Sequence, residues 1–283
     1  MRFGRSKPPT PVKLDGIFGD APWTNKERLP DHTLKNLLEH FAKQWLSLTN
    51  VPEDELGNGY EFLIKKFADD SGHTVQEFYT NRTVVHLMVQ MLEPKPGEKI
   101  YDPTCGTGGM LISALDEVKR KGGEYRTLKL YGQERNHMTA SIARMNLALH
   151  GVDDFAVARG DMLERPALFH QAMEPRSMDN KTGRCAILFP HGVLFRKEEA
   201  DMRQKLVDAD LVDCVLGLGA NLFYNSPMEA CVVICRNNKP AKRRGQVIFI
   251  DAVNEVTHER SMSYLKSEHQ GRVADAYHAF KAI

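Results

Sequence analysis

The chain has 283 residues, 42% of them hydrophobic and 27% charged, with a formal net charge of +1. That length suits one substantial α/β core plus a smaller appendage, and the near-neutral balance excludes a polyanion binder by bulk charge. Five cysteines (Cys105, Cys185, Cys214, Cys231, Cys235) lack metal-type spacing and speak against a disulfide scaffold, so a reduced, cytoplasmic protein without a bound metal is expected. The first residues lead into Pro8, Pro9 and Pro11 with no apolar segment, and no run reaches membrane length, so neither a signal peptide nor a membrane partner is expected.

Residues 1–30 are rich in proline, glycine and charge and read as an extended arm. From His32 to Leu48, apolar residues recur at helical spacing (Leu34, Leu37, Leu38, Phe41, Trp45). Further helices are expected over Tyr60–Phe67 and over Arg82–Leu92, where Pro94 and Pro96 stop the run. The pattern then changes. Lys99–Tyr101 is a short strand ending at Asp102, followed by a glycine-rich turn and a helix from Met110 to Arg120. Leu128–Tyr131, Phe155–Ala158, Cys185–Phe189, Leu211–Leu218, Ala230–Cys235 and Val247–Ile250 read as buried strands, with a helix from Met138 to His150 closed by Gly151. Strands alternating with helices predict a Rossmann-like α/β fold, mostly parallel, with helices on both faces. The expected organisation is an arm (1–30), a helical domain (31–92), an α/β domain (93–255) and a C-terminal helical segment (256–283).

The strongest signal is Asp102-Pro103-Thr104-Cys105-Gly106-Thr107-Gly108-Gly109-Met110. Glycines at a strand-to-helix turn let backbone amides approach a ligand at a helix N-terminus. Dinucleotide enzymes use the same device, but there a pyrophosphate lies over the turn and would repel Asp102. S-adenosylmethionine carries an ammonium and a sulfonium and no phosphate, so an acidic residue is favourable. Glu134 and Asp161 follow at the ends of the next two strands, placed to accept from ribose hydroxyls and from the amine of the cofactor adenine. Pro103, Thr104, Gly106, Thr107, Gly108, Gly109 and Met110 of the turn, with Met162 beside Asp161, complete the candidate contacts.

Gln76-Glu77-Phe78-Tyr79-Thr80-Asn81-Arg82 upstream of this turn, with Gly132-Gln133-Glu134, Gly160-Asp161-Met162-Leu163, Phe189-Pro190-His191-Gly192 and Asn221-Leu222-Phe223-Tyr224, resembles the modification subunits of type I restriction-modification systems, class I methyltransferases that act on DNA adenine N6. The resemblance implies that Phe78, Tyr79 and Thr80 pack against the cofactor. It also implies DNA, a specificity subunit and a second modification subunit as partners, with room for a restriction subunit. Asn81 stands where many members carry proline, a departure expected to have little consequence. The implied reaction is in-line methyl transfer from a sulfonium to the N6 amine of a flipped adenine, for which the protein supplies chiefly position and electrostatics.

In that family an Asn-Pro-Pro-aromatic tetrapeptide after the fourth strand holds the adenine, and this sequence contains none. The stretch from Leu163 to Asn180 reads as a charged loop without an apolar strand, so the catalytic residues are unassigned between Leu163 and Met178. A fourth strand belongs mid-sheet, and its loss would leave an unpaired edge. A segment missing from the chain is therefore favoured over a natural deletion. The rival readings are a non-catalytic cofactor-binding clamp on DNA, a methylase of RNA or protein and, more distantly, a nicotinamide enzyme. Two weaker features have plainer readings: Pro190-His191-Gly192 as a turn rather than a catalytic histidine, and the basic run Lys239–Gly245 as a solvated loop rather than a phosphate contact.

Overall fold

The computed structural model describes residues 14, 17–18, 23–44, 46, 50–51, 53–70, 81–164, 178–179, 181–223, 227–258 and 263–281. The chain divides into two compact units. One comprises residues 1–75, 101–112 and 129–167, the other 76–100, 113–128 and 168–283.

The first unit opens with helix α1 (Asp31–Ala42) and helix α2 (Glu53–Asp70). The helix expected to run to Leu48 stops at Ala42, and the one expected from Tyr60 begins seven residues earlier. None of α1 is buried, and its apolar stripe remains open at Leu37 (53% exposed) and Leu38 (70%). Strand β1 (Lys99–Asp102) leads through the glycine turn into a helix over Gly109–Arg120; β2 (Lys129–Glu134) pairs in parallel with β3 (Phe155–Arg159), and the three strands form a sheet of order β1-β2-β3. Between β2 and β3 runs a helix over His137–Leu149, whose Asn136 cap accepts from the amides of Met138 and Thr139. Helix α2 packs on this helix at Gly57, where a Cβ would come within 2.7 Å of the His150 ring. Only glycine allows that approach.

The second unit holds a helix over Arg82–Leu92, whose face of Val84, Leu87, Met88 and Met91 is buried and which packs against the last helix, Ser267–Ala279. In chain order the helices after α2 are thus Arg82–Leu92, Gly109–Arg120 (α3 hereafter for the helix leaving the glycine turn), His137–Leu149, Ala200–Asp208 and Ser267–Ala279. A four-stranded sheet has the order β4-β6-β5-β7, from β4 (Arg184–Pro190), β5 (Val212–Leu218), β6 (Ala230–Arg236) and β7 (Ile248–Ala252). Strand β6 is antiparallel to both neighbours, and β5 and β7 are parallel. Among the described residues the expected single sheet is therefore divided in two, with β1 and β3 at the edges of one and β4 and β7 at the edges of the other. The helix Ala200–Asp208 carries little apolar periodicity and went unread in the sequence, and the segment expected to be helical over 256–283 opens with a short antiparallel pair, β8 (Thr257–His258) and β9 (Ser263–Tyr264), before its helix begins at Ser267.

Asn81 overturns the expectation that it is inconsequential. It is 4% exposed, caps its helix by accepting from the amide and hydroxyl of Thr83, and donates through Nδ2 to the carbonyls of Leu222 (2.9 Å) and Ser263 (3.0 Å). A proline there supplies none of these bonds. The basic loop is likewise not simply solvated. Lys239 is buried and donates to Asp210 Oδ1 (2.6 Å) and the Gln246 carbonyl (2.8 Å), while Arg243 donates to Asp213 Oδ2 and to the carbonyls of Tyr277 and His278. These cations hold the fold together. Among the described residues no helix is long and apolar enough to cross a membrane.

Candidate cofactor site

The site lies in the first unit, where β1, β2 and β3 end together. Leaving β1, the backbone turns back so that the Cys105 amide donates to the Gln133 carbonyl on β2 (2.9 Å) and the Gly108 amide to the Cys105 carbonyl (2.8 Å). Gly106 (φ 53°) and Gly108 (φ 85°) adopt left-handed backbone that a side chain disfavours, and α3 starts directly after them. Asn146 supports the turn from behind, donating through Nδ2 to the Thr107 carbonyl (3.0 Å). The turn also needs a glycine across from it. A Cβ on Gly132 of β2 would lie 2.7 Å from Cys105 Sγ.

Asp102 is half-buried, and its Oδ1 accepts from the Thr104 amide (3.0 Å). Burial pushes its carboxyl up to about 6, the neighbouring Glu134 carboxylate adds to the rise, and the Thr104 amide opposes it. Glu134 is buried at the end of β2. Its Oε2 accepts from the Gly106 amide (3.1 Å) and its Oε1 from the Asn136 amide (2.7 Å). The residue read as a ribose acceptor thus also braces the glycine turn. Asp161 Oδ1 accepts from the Leu163 amide (2.9 Å), and its other oxygen faces Arg135 at 3.6 Å. Met162 Sδ lies 3.6 Å from the Tyr101 hydroxyl, which also meets Gln133 Oε1 at 3.3 Å.

The structure therefore brings together Asp102, Pro103, Thr104, Gly106, Thr107, Gly108, Gly109, Met110, Glu134, Asp161 and Met162 on contiguous segments of one unit. Phe78, Tyr79 and Thr80 lie outside the described residues, as does the stretch 165–177 in which the catalytic motif was sought. Gln133, quoted above within a motif but given no role of its own, is fully buried and donates to the Gly160 carbonyl (3.1 Å), and so holds the ends of β2 and β3 together. Asn136 was legible as a helix cap and was not singled out.

The arrangement fits a cationic ligand. Two carboxylates, Asp102 and Glu134, face one another beside amides of a helix N-terminus, and among the described residues no cation pairs with either. A ligand that brings an ammonium and a sulfonium relieves that repulsion; a pyrophosphate would worsen it. His191 sits on a short helical turn, His191–Leu194, with Nδ1 3.6 Å from Glu229 Oε2 and its ring edge-on to Phe195, so it redirects the chain after β4.

Comparison with known proteins agrees with this reading of the fold. The type I restriction enzyme HindI methylase subunit of Haemophilus influenzae is 27% identical over 81% of this chain and 61% of its own length. The MjaVIII methylase subunit of Methanocaldococcus jannaschii is 30% identical over 89% of this chain and 52% of its own length. This chain thus spans about half to three-fifths of the curated relatives it matches. The crystal structure of a type I restriction-modification methyltransferase subunit from Streptococcus thermophilus superposes with a TM-score of 0.70 at 27% identity, over 84% of this chain and 60% of that one, which gives the chain the class I methyltransferase fold. The relatives are longer internally as well. The HindI alignment runs over 281 positions but covers 81% of 283 residues, about 229, so about 52 positions have no counterpart here. For the MjaVIII subunit, 309 positions cover 89%, about 252 residues, leaving about 57. The family model for the N-6 DNA methylases matches in two pieces, residues 51–179 and 176–283. Those two pieces take in most of the chain, and the protein belongs to the N-6 DNA methylase family.

Proposed function

We propose that this chain supplies the S-adenosylmethionine-binding core of a DNA adenine-N6 methyltransferase, the modification subunit of a type I restriction-modification complex. The observation that carries the reading is the pair of carboxylates, Asp102 and Glu134, set against the glycine turn with no counter-cation among the described residues, in a chain of this family. Asp102 receives the positive end of the cofactor, the amides from Gly106 to Met110 line its approach, and Glu134 and Asp161 take its ribose and adenine. Bound there, S-adenosylmethionine supplies an activated methyl group, and the residues around it fix its position and exclude water.

DNA is the substrate, read by a separate specificity subunit, since Lys239 and Arg243 of the basic loop are committed to internal bonds and the net charge is near neutral. A second modification subunit and a restriction subunit complete the expected partners, and the cytoplasm is the expected location. Titration calorimetry tests the reading: S-adenosylmethionine binds saturably and NAD does not. Folded chain that binds NAD, or neither compound, would sink it. Transfer of labelled methyl groups to DNA in the presence of a specificity subunit then tests the substrate.

A further inference from the structure

We infer that Cys185 and Cys235 form an oxidisable dithiol, a site at which a peroxide converts two thiols into a disulfide that staples β4 to β6. The inference stands independently of the methyltransferase reading, since both residues lie in the second unit and neither belongs to the cofactor site.

The register brings the two sulfurs together. Strands β4 and β6 pair without a break from Arg184↔Arg236 to Pro190↔Ala230, which sets Cys185 directly opposite Cys235. The Asn237 amide donates to the Gly183 carbonyl (3.0 Å) and the His191 amide to the Glu229 carbonyl (3.3 Å), so odd-numbered residues of β4 form the hydrogen-bonded pairs. Cα atoms of such a pair lie about 5.5 Å apart, inside the span of about 4.4–6.8 Å that a disulfide bridges. Side chains directly opposite share a face of the sheet, and here both belong to one apolar cluster with Cys231, Val233 and Phe189. The neighbouring pair is anchored. Arg184 donates to both oxygens of Glu98, and Arg236 donates to Asp213 Oδ2 (3.0 Å) and the Tyr277 hydroxyl (3.0 Å). Closing the bridge therefore asks for rotation about side-chain bonds rather than movement of strands.

The two thiols are unequal in the way this chemistry requires. Cys185 is half-buried, whereas Cys235 is 3% exposed. A hydrogen bond from the Cys235 thiol holds the Cys185 thiol below its ordinary range against the opposing effect of burial, while the same bond and burial push Cys235 up. Cys185 thus supplies the thiolate, the reactive form, and Cys235 resolves. The other cysteines lack both features. Cys214 stands opposite Ile234 and Ile248, Cys231 opposite Phe189 and Gly217, and Cys105 lies in the glycine turn; burial pushes all three thiols up.

The atoms balance with hydrogen peroxide as oxidant. The Cys185 thiolate attacks one peroxide oxygen, the O–O bond breaks, and the departing hydroxide takes up the proton that Cys185 released, giving water and a sulfenic acid. The Cys235 sulfur then attacks the Cys185 sulfur and the S–O bond breaks. The second hydroxide leaves with the Cys235 proton as water. Two thiols and one peroxide become one disulfide and two waters.

The test treats the purified 283-residue chain with hydrogen peroxide, alkylates the remaining thiols after denaturation, and maps the peptides without reduction. All five cysteines are expected to alkylate before treatment and all but Cys185 and Cys235 after it, with one linked peptide joining those two and full recovery on dithiothreitol. The bridge closes a loop of about fifty residues, so the oxidised chain melts about 5–10 °C higher than the reduced one. Cys235→Ser leaves Cys185 as a sulfenic acid that dimedone captures, and Cys185→Ser keeps its remaining cysteines reduced under the same treatment. All five thiols still alkylating after peroxide, a bridge between any other pair or between two chains, or oxygen added to Cys185 of the wild-type chain with no bridge would each overturn the inference. The wild-type peptide map decides whether or not either variant folds.

Discussion

Glu134 accepts the Gly106 amide on one carboxylate oxygen, at 3.1 Å, and the Asn136 amide on the other, at 2.7 Å. One side chain thus ties the glycine turn to the cap of the helix that follows β2. Glu134→Gln is therefore not conservative, because its amide group would present a donor to a donor. The ligand-free protein is expected to lose about 1–3 kcal/mol, and S-adenosylmethionine affinity to fall with it. Thermal melting beside titration calorimetry separates the two effects, and a loss of affinity without a loss of melting temperature would remove the bracing role.

Asp102 sets a pH dependence of opposite sign for stability and binding. Its carboxyl, at about 6 in the fold against 3.8 ordinarily, binds more protons folded than unfolded between those values. The stability of the ligand-free protein therefore declines, through this group, as pH rises from about 4 to about 6, and is unaffected by it above that range. On the proposed role of Asp102, cofactor binding needs the ionised form, so affinity at pH 5 should be about tenfold weaker than at pH 7.5. Asp102→Asn keeps the acceptor for the Thr104 amide, flattens both profiles, and melts higher than wild type at pH 7 while binding the cofactor poorly. Melting curves and titrations across that pH range decide it.

Gly132→Ala places a methyl 2.7 Å from Cys105 Sγ and 3.4 Å from Leu111 Cδ1. The turn must shift, and overpacking of this kind costs about 1–3 kcal/mol. Adding Cys105→Ala removes the nearest atom and should restore part of the loss. A double mutant no better than Gly132→Ala would mean that the strain lies elsewhere.

Asp213 has no exposed surface and accepts on Oδ2 from Tyr277 (2.7 Å), Arg243 (2.9 Å) and Arg236 (3.0 Å). Tyr277→Phe should cost about 1–3 kcal/mol in urea denaturation, and Asp213→Ala about 3–5 kcal/mol, since it strands two guanidinium groups. Equal losses would show that the charge matters no more than a single hydrogen bond.

Much of this was legible in the sequence because the signals were local. Arg82–Leu92 carries its apolar stripe between a capping asparagine and two prolines, and both of its ends fell where expected. The carboxylates at three successive strand ends could be read from spacing alone. What escaped depended on partners distant in the chain. Asn81 looks like a neutral departure until Leu222 and Ser263 arrive beside it, and Lys239 looks solvated until Asp210 and Gln246 close over it. The division into two sheets was foreshadowed by the loop at Leu163–Asn180, but that Cys185 faces Cys235 required the register.

The bonds from Asn81 also order events during synthesis. Its partners, Leu222 and Ser263, lie 141 and 182 residues further along, and the helix it caps packs against Ser267–Ala279. A nascent chain makes the Val84, Leu87 and Met91 face well before the helix Ser267–Ala279 that packs against it has been translated. The segments of the first unit are all out by residue 167, more than a hundred residues sooner. The glycine turn can therefore settle while the other unit still lacks Ser267–Ala279, and a frameshift ahead of that helix would deprive the Arg82–Leu92 helix of this partner.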